Sequence, residues 1–282
     1  MLDYLKSSPF YILPHHLISW LVFHVARIRF EPVKNLSLKI YLSLHKVNMA
    51  EAEQSDPYAF DNLNAFFTRA LKKDVRPLAP GERVLLCPVD GAVSQAQPIK
   101  DGRIFQAKGR DYSLLELVGG FEHLAKPFHN GKFATLYLSP RDYHRIHMPM
   151  AAKLHEMVYV PGRLFSVAPH TVNTVPRLFA RNERLVCAFD TAAGPMIMVL
   201  VGAVNVSAID TVWAGTVTPP SRHRIVHTEY HDDLHIQLDR GAEMGRFNLG
   251  STVIMLLPEN VELDAAITAG APVKMGQAMA NY

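Results

Sequence analysis

From residue 84 onward the chain runs as short apolar stretches punctuated by Gly and Pro. Such stretches, rich in β-branched and aromatic residues and bounded by turn formers, read as strands. They predict strands at 84–87, 92–97, 104–107, 132–138, 154–160, 184–190, 196–201, 253–257 and 261–263. Helical insertions are expected at 113–118, where Ser113 and Glu116 have capping-box spacing, and at 169–175. The predicted class is α+β, a β-rich domain of two packed antiparallel sheets spanning 73–282.

Residues 1–72 follow a different pattern and predict a helical, membrane-associating region. No acid, Lys or Arg occurs from Ser7 to Ala26. Pro9 and Pro14 leave an uninterrupted helix of only 15–26, too short for a span, which needs about 20 residues. Leu17, Trp20, Leu21, Val25 and Ile28 recur at helical spacing, and Arg27 and Arg29 follow. An apolar stripe with aromatics and a basic flank describes a helix lying in the headgroup layer of anionic lipid. The competing reading is a helix buried in the protein's own core or in a homodimer interface. Residues 36–44 alternate like a strand, yet Leu36, Ile40, Leu44 and Val47 also fit a helix, which leucine favours. A helix is expected there, and another, capped by Asp61 or Asn62, through Leu71.

Charge sharpens this division. The net charge is only +3, which gives no nucleic-acid footprint. Residues 1–50 hold six Lys or Arg against Asp3 and Glu31, a local +4, so the rest carries −1. Cys87 and Cys187 lie in apolar runs, where a thiol behaves as a small core residue, and a reducing compartment is expected. No cleavable signal is evident; Asp3 precedes the early apolar stretch, and no small-residue cleavage site follows it.

Four stretches concentrate reactive side chains: Pro88-Val89-Asp90-Gly91, residues 139–149 (with Tyr143, His144 and His147), residues 213–220, and residues 243–253. Taken singly they say little. An Asp before Gly shapes turns. No Cys or Glu adjoins His144 and His147 to complete a tetrahedral ligand set, and no metal is expected. From the residues alone, an acid, a histidine and a serine are candidates for a relay.

Together the stretches resemble those of the phosphatidylserine decarboxylase proenzymes. Leu249-Gly250-Ser251-Thr252 corresponds to the family's self-cleavage motif. Tyr143-His144-Arg145-Ile146-His147-Met148-Pro149 and Pro88-Val89-Asp90-Gly91 match as well. The likeness runs from the N-terminal helices through Phe66-Phe67-Thr68-Arg69 to Gly276-Gln277, with no departure at these positions.

The resemblance implies a relay in which Asp90 orients His147 and His147 takes the hydroxyl proton of Ser251. Cleavage between Gly250 and Ser251 would give a large subunit, 1–250, and a small one, 251–282. Ser251 would become a covalent pyruvoyl group, the only cofactor. That group would form a Schiff base with phosphatidylserine and release CO2 to give phosphatidylethanolamine. His144 is the expected proton donor to the former α-carbon. The implied partners are phosphatidylserine and an anionic membrane surface. The expected location is peripheral, on the cytoplasmic face of a bacterial inner membrane. One rival is an Asp-His-Ser hydrolase acting at a membrane surface. Against it, Leu249 and Val253 stand where a nucleophile elbow needs glycines. The other rival is a non-enzymatic β-domain with a histidine-lined metal site.

Overall fold

The computed structural model describes residues 2–204, 208–218, 224–231, 236–249 and 251–282. Its centre is one large antiparallel sheet. In spatial order the strands are Val226–Glu229, Ala152–Val160, Arg184–Thr191, Gly194–Val201, Ser251–Leu257, Lys132–Leu138, Gly91–Pro98 and Pro272–Val273, with Gln237–Leu238 also paired to Ala152–Val160. Side chains from Thr252 to Leu257 are all buried, which suits a strand flanked by Gly194–Val201 and Lys132–Leu138. Gly91 has a geometric reason as well as a turn to make. A Cβ there would lie 2.2 Å from the Tyr137 carbonyl oxygen, so only glycine permits this strand pairing.

Three smaller sheets surround it, so the expected two-sheet sandwich becomes a large sheet with satellites. Gly215–Thr218, Ala208–Thr211, Glu243–Asn248 and Arg145–His147 form one; Val84–Leu86, Ala278–Asn281 and Glu262–Leu263 form another; Arg103–Ala107 and Arg110–Ser113 form a hairpin. The predicted strands all appear, several one or two residues longer. The strands not predicted, such as Arg145–His147 and Glu243–Asn248, are polar enough to hide the period-2 signal. Ser113 caps Leu114–Leu117 as expected, while the helix at Pro169 ends at Val172.

At the N-terminus, helices occupy Leu2–Ser7, His15–Val25 and Glu31–Leu44, so helix wins over strand at 36–44. Asn62 caps Leu63–Phe67, which stops short of Leu71. No described helix is long and apolar enough to cross a membrane. The second helix is turned inside out. His15 and Ser19 are buried, whereas Leu17, Trp20, Leu21 and Val25 are exposed. Leu36, Ile40 and Leu44 extend this outward apolar stripe on the third helix. Fourteen of the twenty exposed large apolar side chains among the described residues lie within residues 2–44. A patch of that kind marks an interaction surface rather than a core face.

The helices are fastened to the β domain by polar contacts. Thr174 Oγ1 donates to Ser7 Oγ at 2.7 Å, the Tyr41 hydroxyl donates to the Pro140 carbonyl at 2.5 Å, and Asn64 Nδ2 donates to Asn248 Oδ1 at 2.8 Å; within the N-terminal region, Asn64 N donates to the Ala26 carbonyl at 2.9 Å.

Candidate active site

Pairing of Glu243–Asn248 with Arg145–His147 joins two of the four sequence stretches, with Glu243 opposite His147 and Arg246 opposite Arg145. Glu243 accepts ion pairs from both arginines, at 2.9 Å and 2.6 Å. The His147 amide donates to the Pro88 carbonyl at 2.9 Å, which docks the Asp90 turn against the same strand. Residues 213–218 make a turn and a strand of this small sheet, and Trp213 donates to Met157 Sδ at 3.4 Å. Their part is structural. Pro219, Pro220 and Gly250 lie outside the described residues.

Asp90 is buried and held by cations. Arg76 donates to its carboxylate at 2.6 Å and 3.0 Å, Lys274 at 3.1 Å, and the Met275 amide at 2.9 Å. Burial pushes its pKa up, but the Arg76 and Met275 bonds and the two positive charges outweigh this and hold it below the ordinary value. Removing one partner of a buried pair of this kind costs about 3–5 kcal/mol.

The expected orienting of His147 by Asp90 is therefore not made through a direct hydrogen bond. His147 Nδ1–H donates to the Gly241 carbonyl at 2.8 Å, and Nε2 accepts from the Tyr143 hydroxyl at 2.9 Å. Gly241 thus fixes the ring tautomer, the job expected of Asp90. Asp90 reaches His147 through its field and through the shared Pro88 turn. Burial lowers the His147 pKa more than the Gly241 bond raises it, so the ring is a neutral base at pH 7.

His144 turns to other partners. Its Nδ1–H donates to the Asp142 carbonyl at 2.9 Å, and its ring lies 4.1 Å from that of Phe67. It is wholly buried, and burial depresses its pKa to about 3. Its Nε2 is buried with no hydrogen-bond partner among the described residues. Such an atom is costly to leave unpaired and marks a place for a ligand polar group. The ring is therefore neutral at pH 7, with Nδ1–H engaged and Nε2 presented as an acceptor.

The backbone of Ser251 opens the central strand opposite Leu138, beside the turn that carries Asp142 to His147. Directly before the Gly250-Ser251 junction, Leu249 has φ +81°. For a bulky residue this is a strained conformation, typically costing about 1–3 kcal/mol. Packing of Leu249 against Ala26 and Phe67 holds it. Leu249, Leu138 and Phe67 also line a cavity of about 310 Å³, together with Phe10, Tyr41 and His45 of the N-terminal region. That volume is at the lower end of ligand pockets.

Sequence reasoning missed Arg76, Lys274 and Gly241, and gave Arg69 no role. Arg69 is buried and donates to the carbonyls of Arg141 and Asp142, so it pins the loop before His144. Lys274 meets Asp90 across 184 positions, a pairing that no local spacing encodes. Tyr143 and Phe67 stood inside quoted stretches without a role.

Comparison with known proteins gives the family. A family model described as phosphatidylserine decarboxylase matches residues 63–281, and a second, described as PSD, matches residues 5–40. The chain belongs to the phosphatidylserine decarboxylase family. It is 54% identical over 271 residues to the phosphatidylserine decarboxylase proenzyme of Pseudomonas fluorescens, covering 95% of this chain and 94% of that one. It is 55% identical over 274 residues to that of Pseudomonas entomophila, covering 96% and 95%. To that of Alkalilimnicola ehrlichii it is 54% identical over 255 residues, covering 90% and 88%. The family is one of decarboxylases, and nothing in these relatives favours a serine hydrolase.

Proposed function

We propose that this chain is a phosphatidylserine decarboxylase made as a proenzyme, which severs itself between Gly250 and Ser251. The observation that carries the reading is the strained Leu249 beside an apolar cavity, immediately ahead of that peptide bond. The Ser251 hydroxyl attacks the Gly250 carbonyl and loses its proton to neutral His147, either directly or through the Tyr143 hydroxyl. Intramolecular attack draws on effective molarities on the order of 10⁵–10⁸ M. The amide becomes an ester. Elimination across Cα–Cβ of residue 251 breaks the ester and leaves Gly250 as a carboxylate terminus. One water then hydrolyses the dehydroalanine, releasing ammonia and leaving a pyruvoyl cap on the small subunit.

The buried, unpartnered Nε2 of His144 and the neighbouring cavity fit this group. When formed it supplies a ketone that binds an amine and accepts the electron pair freed by CO2 loss. The chain's own residues do the rest. His144 relays the proton destined for the substrate α-carbon. The Asp90–Arg76–Lys274 knot positions the Pro88 turn and hence His147. Phe67, Leu138 and Leu249 keep water away from the reacting carbon.

The test is intact mass under denaturing conditions. Purified protein is expected to give two fragments, residues 1–250 and 251–282, the smaller lacking a free amine and reactive towards phenylhydrazine. One uncleaved chain that is labelled by a fluorophosphonate would overturn the proposal in favour of the hydrolase.

The lipid substrate explains the inverted N-terminal helices. We assign their outward stripe, with the +4 charge of residues 1–50, to docking on an anionic membrane surface. Deleting residues 1–30 would also break the Thr174–Ser7 and Asn64–Ala26 bonds, so substitution is the cleaner probe. Trp20→Ser with Leu21→Asp is expected to lower binding to phosphatidylserine-containing vesicles at least about tenfold, since about 1.5–3 kcal/mol accompanies each large apolar side chain withdrawn from water. Self-cleavage should persist. Vesicle co-sedimentation equal to that of the unsubstituted protein would refute the assignment.

A further inference from the structure

Across the large sheet from Ser251 lies a second cluster of ionisable groups. Glu156 sits on Ala152–Val160, three strands or ~14 Å from Ser251–Leu257 at ~4.8 Å per strand, and its register brings it level with Leu256, at the far end of that strand from Ser251. Its carboxylate is buried. His227 Nε2, from the edge strand Val226–Glu229, lies 2.6 Å from Oε2. His123 Nε2, from the short helix Glu122–Ala125, lies 3.1 Å from both oxygens. His155 Nδ1 lies 3.2 Å from Oε1, carried there by an irregularity in strand pairing between Leu154 and Glu156. Bulges commonly re-aim side chains beside functional sites.

Asp90, buried to the same degree, is neutralised by Arg76 and Lys274. Glu156 is bonded by imidazoles alone among the described residues, although a buried carboxylate needs a full compensating charge. The ligand atoms of His123, Glu156 and His227 all lie within 4.8 Å of one another. Two imidazoles and one carboxylate are a recurring zinc donor set with a fourth position left for water. At metal–ligand distances of about 2.0–2.2 Å, adjacent donors stand roughly 3.3 Å apart, within small side-chain rotations of the arrangement seen.

We propose that His123, Glu156 and His227 bind one zinc-class divalent cation, with water as fourth ligand. His155 would keep its hydrogen bond to the carboxylate and orient it, as partners of metal-binding groups do. The cation enters from an open cavity of about 890 Å³ lined by His123, His155, Glu156 and Glu229. It would staple the edge strand and the helix to the sheet. Among the described residues, no hydrogen bond or ion pair joins this cluster to Asp90, Tyr143, His144 or His147, so the two proposals stand or fall separately.

Untagged protein stripped with chelator and dialysed against micromolar zinc chloride should retain one zinc per chain by elemental analysis. Cobalt should give the visible absorption of a four-coordinate site, and magnesium should not compete. His123→Ala with His227→Ala should weaken zinc binding more than about 100-fold, beyond the 10–100-fold typical of an outer partner. Both fragments should still appear in the intact mass. Should the double variant misfold, His123→Ala alone, at an exposed position, must give the same loss of zinc. Absence of stoichiometric zinc in the unsubstituted protein, or unchanged zinc content in either variant, would overturn the site.

Discussion

Ser251→Ala is expected to yield a single chain of 31.6 kDa with no reactive carbonyl and no decarboxylation. Alanine keeps the backbone ladder to Leu138 and Val201 that defines the central strand, so the fold should survive. What disappears is the hydroxyl proposed to attack Gly250, and with it the ester whose elimination opens the way to the ketone. Loss of an essential nucleophile reduces turnover on the order of 10⁶-fold in a serine enzyme. Here it removes the cofactor itself, so activity should fall below detection. Intact mass, phenylhydrazine titre and CO2 release on phosphatidylserine vesicles check the three parts. A Ser251→Ala chain that still separates into pieces of 250 and 32 residues would refute self-cleavage by this hydroxyl.

The two histidines should divide the reaction between them. His147→Ala is expected to slow maturation about 10²–10⁴-fold, the usual contribution of a positioned base. His144→Ala should mature normally and lose decarboxylation by a similar factor. The pH profile gives the sign. Burial lowers the His147 pKa from 6.5, so the neutral, proton-accepting form is complete at pH 7. Maturation should therefore be flat above neutrality and fall only as pH drops through a value below 6.5. Pulse-chase of newly made protein at several pH values measures it. An inflection above pH 7, or slow maturation in His144→Ala, would contradict these roles.

The pairing of Asp90 illustrates why the relay was only partly legible. The acid, the histidine and the serine are each visible as residue types. Their bonding depends on Arg76, Lys274 and Gly241, which approach from distant positions. A carboxylate inside a protein takes the strongest available cations, and two stand closer to Asp90 than any imidazole. The Glu156 cluster was invisible for the same reason. His123, Glu156 and His227 come from three elements joined only by sheet order.

Local chemistry settled much else in advance. Strands such as Gly194–Val201 carry a continuous apolar run, Met196 to Val201, that must be buried on both faces, and Asn62 and Ser113 supply cap oxygens that their own neighbours require. The apolar stripe of Leu17, Trp20, Leu21 and Val25 follows from helical spacing, whereas its outward direction came from the structure. The sequence by itself therefore determined the long apolar strands, most of the helices, the family and the reactive residue types, because these depend on neighbours a few positions apart, while polar strands such as Arg145–His147 escaped it. Only the tertiary structure decided which charges meet, which ring nitrogen is left unpartnered and where Leu249 is strained, because those depend on distances between residues the chain keeps far apart.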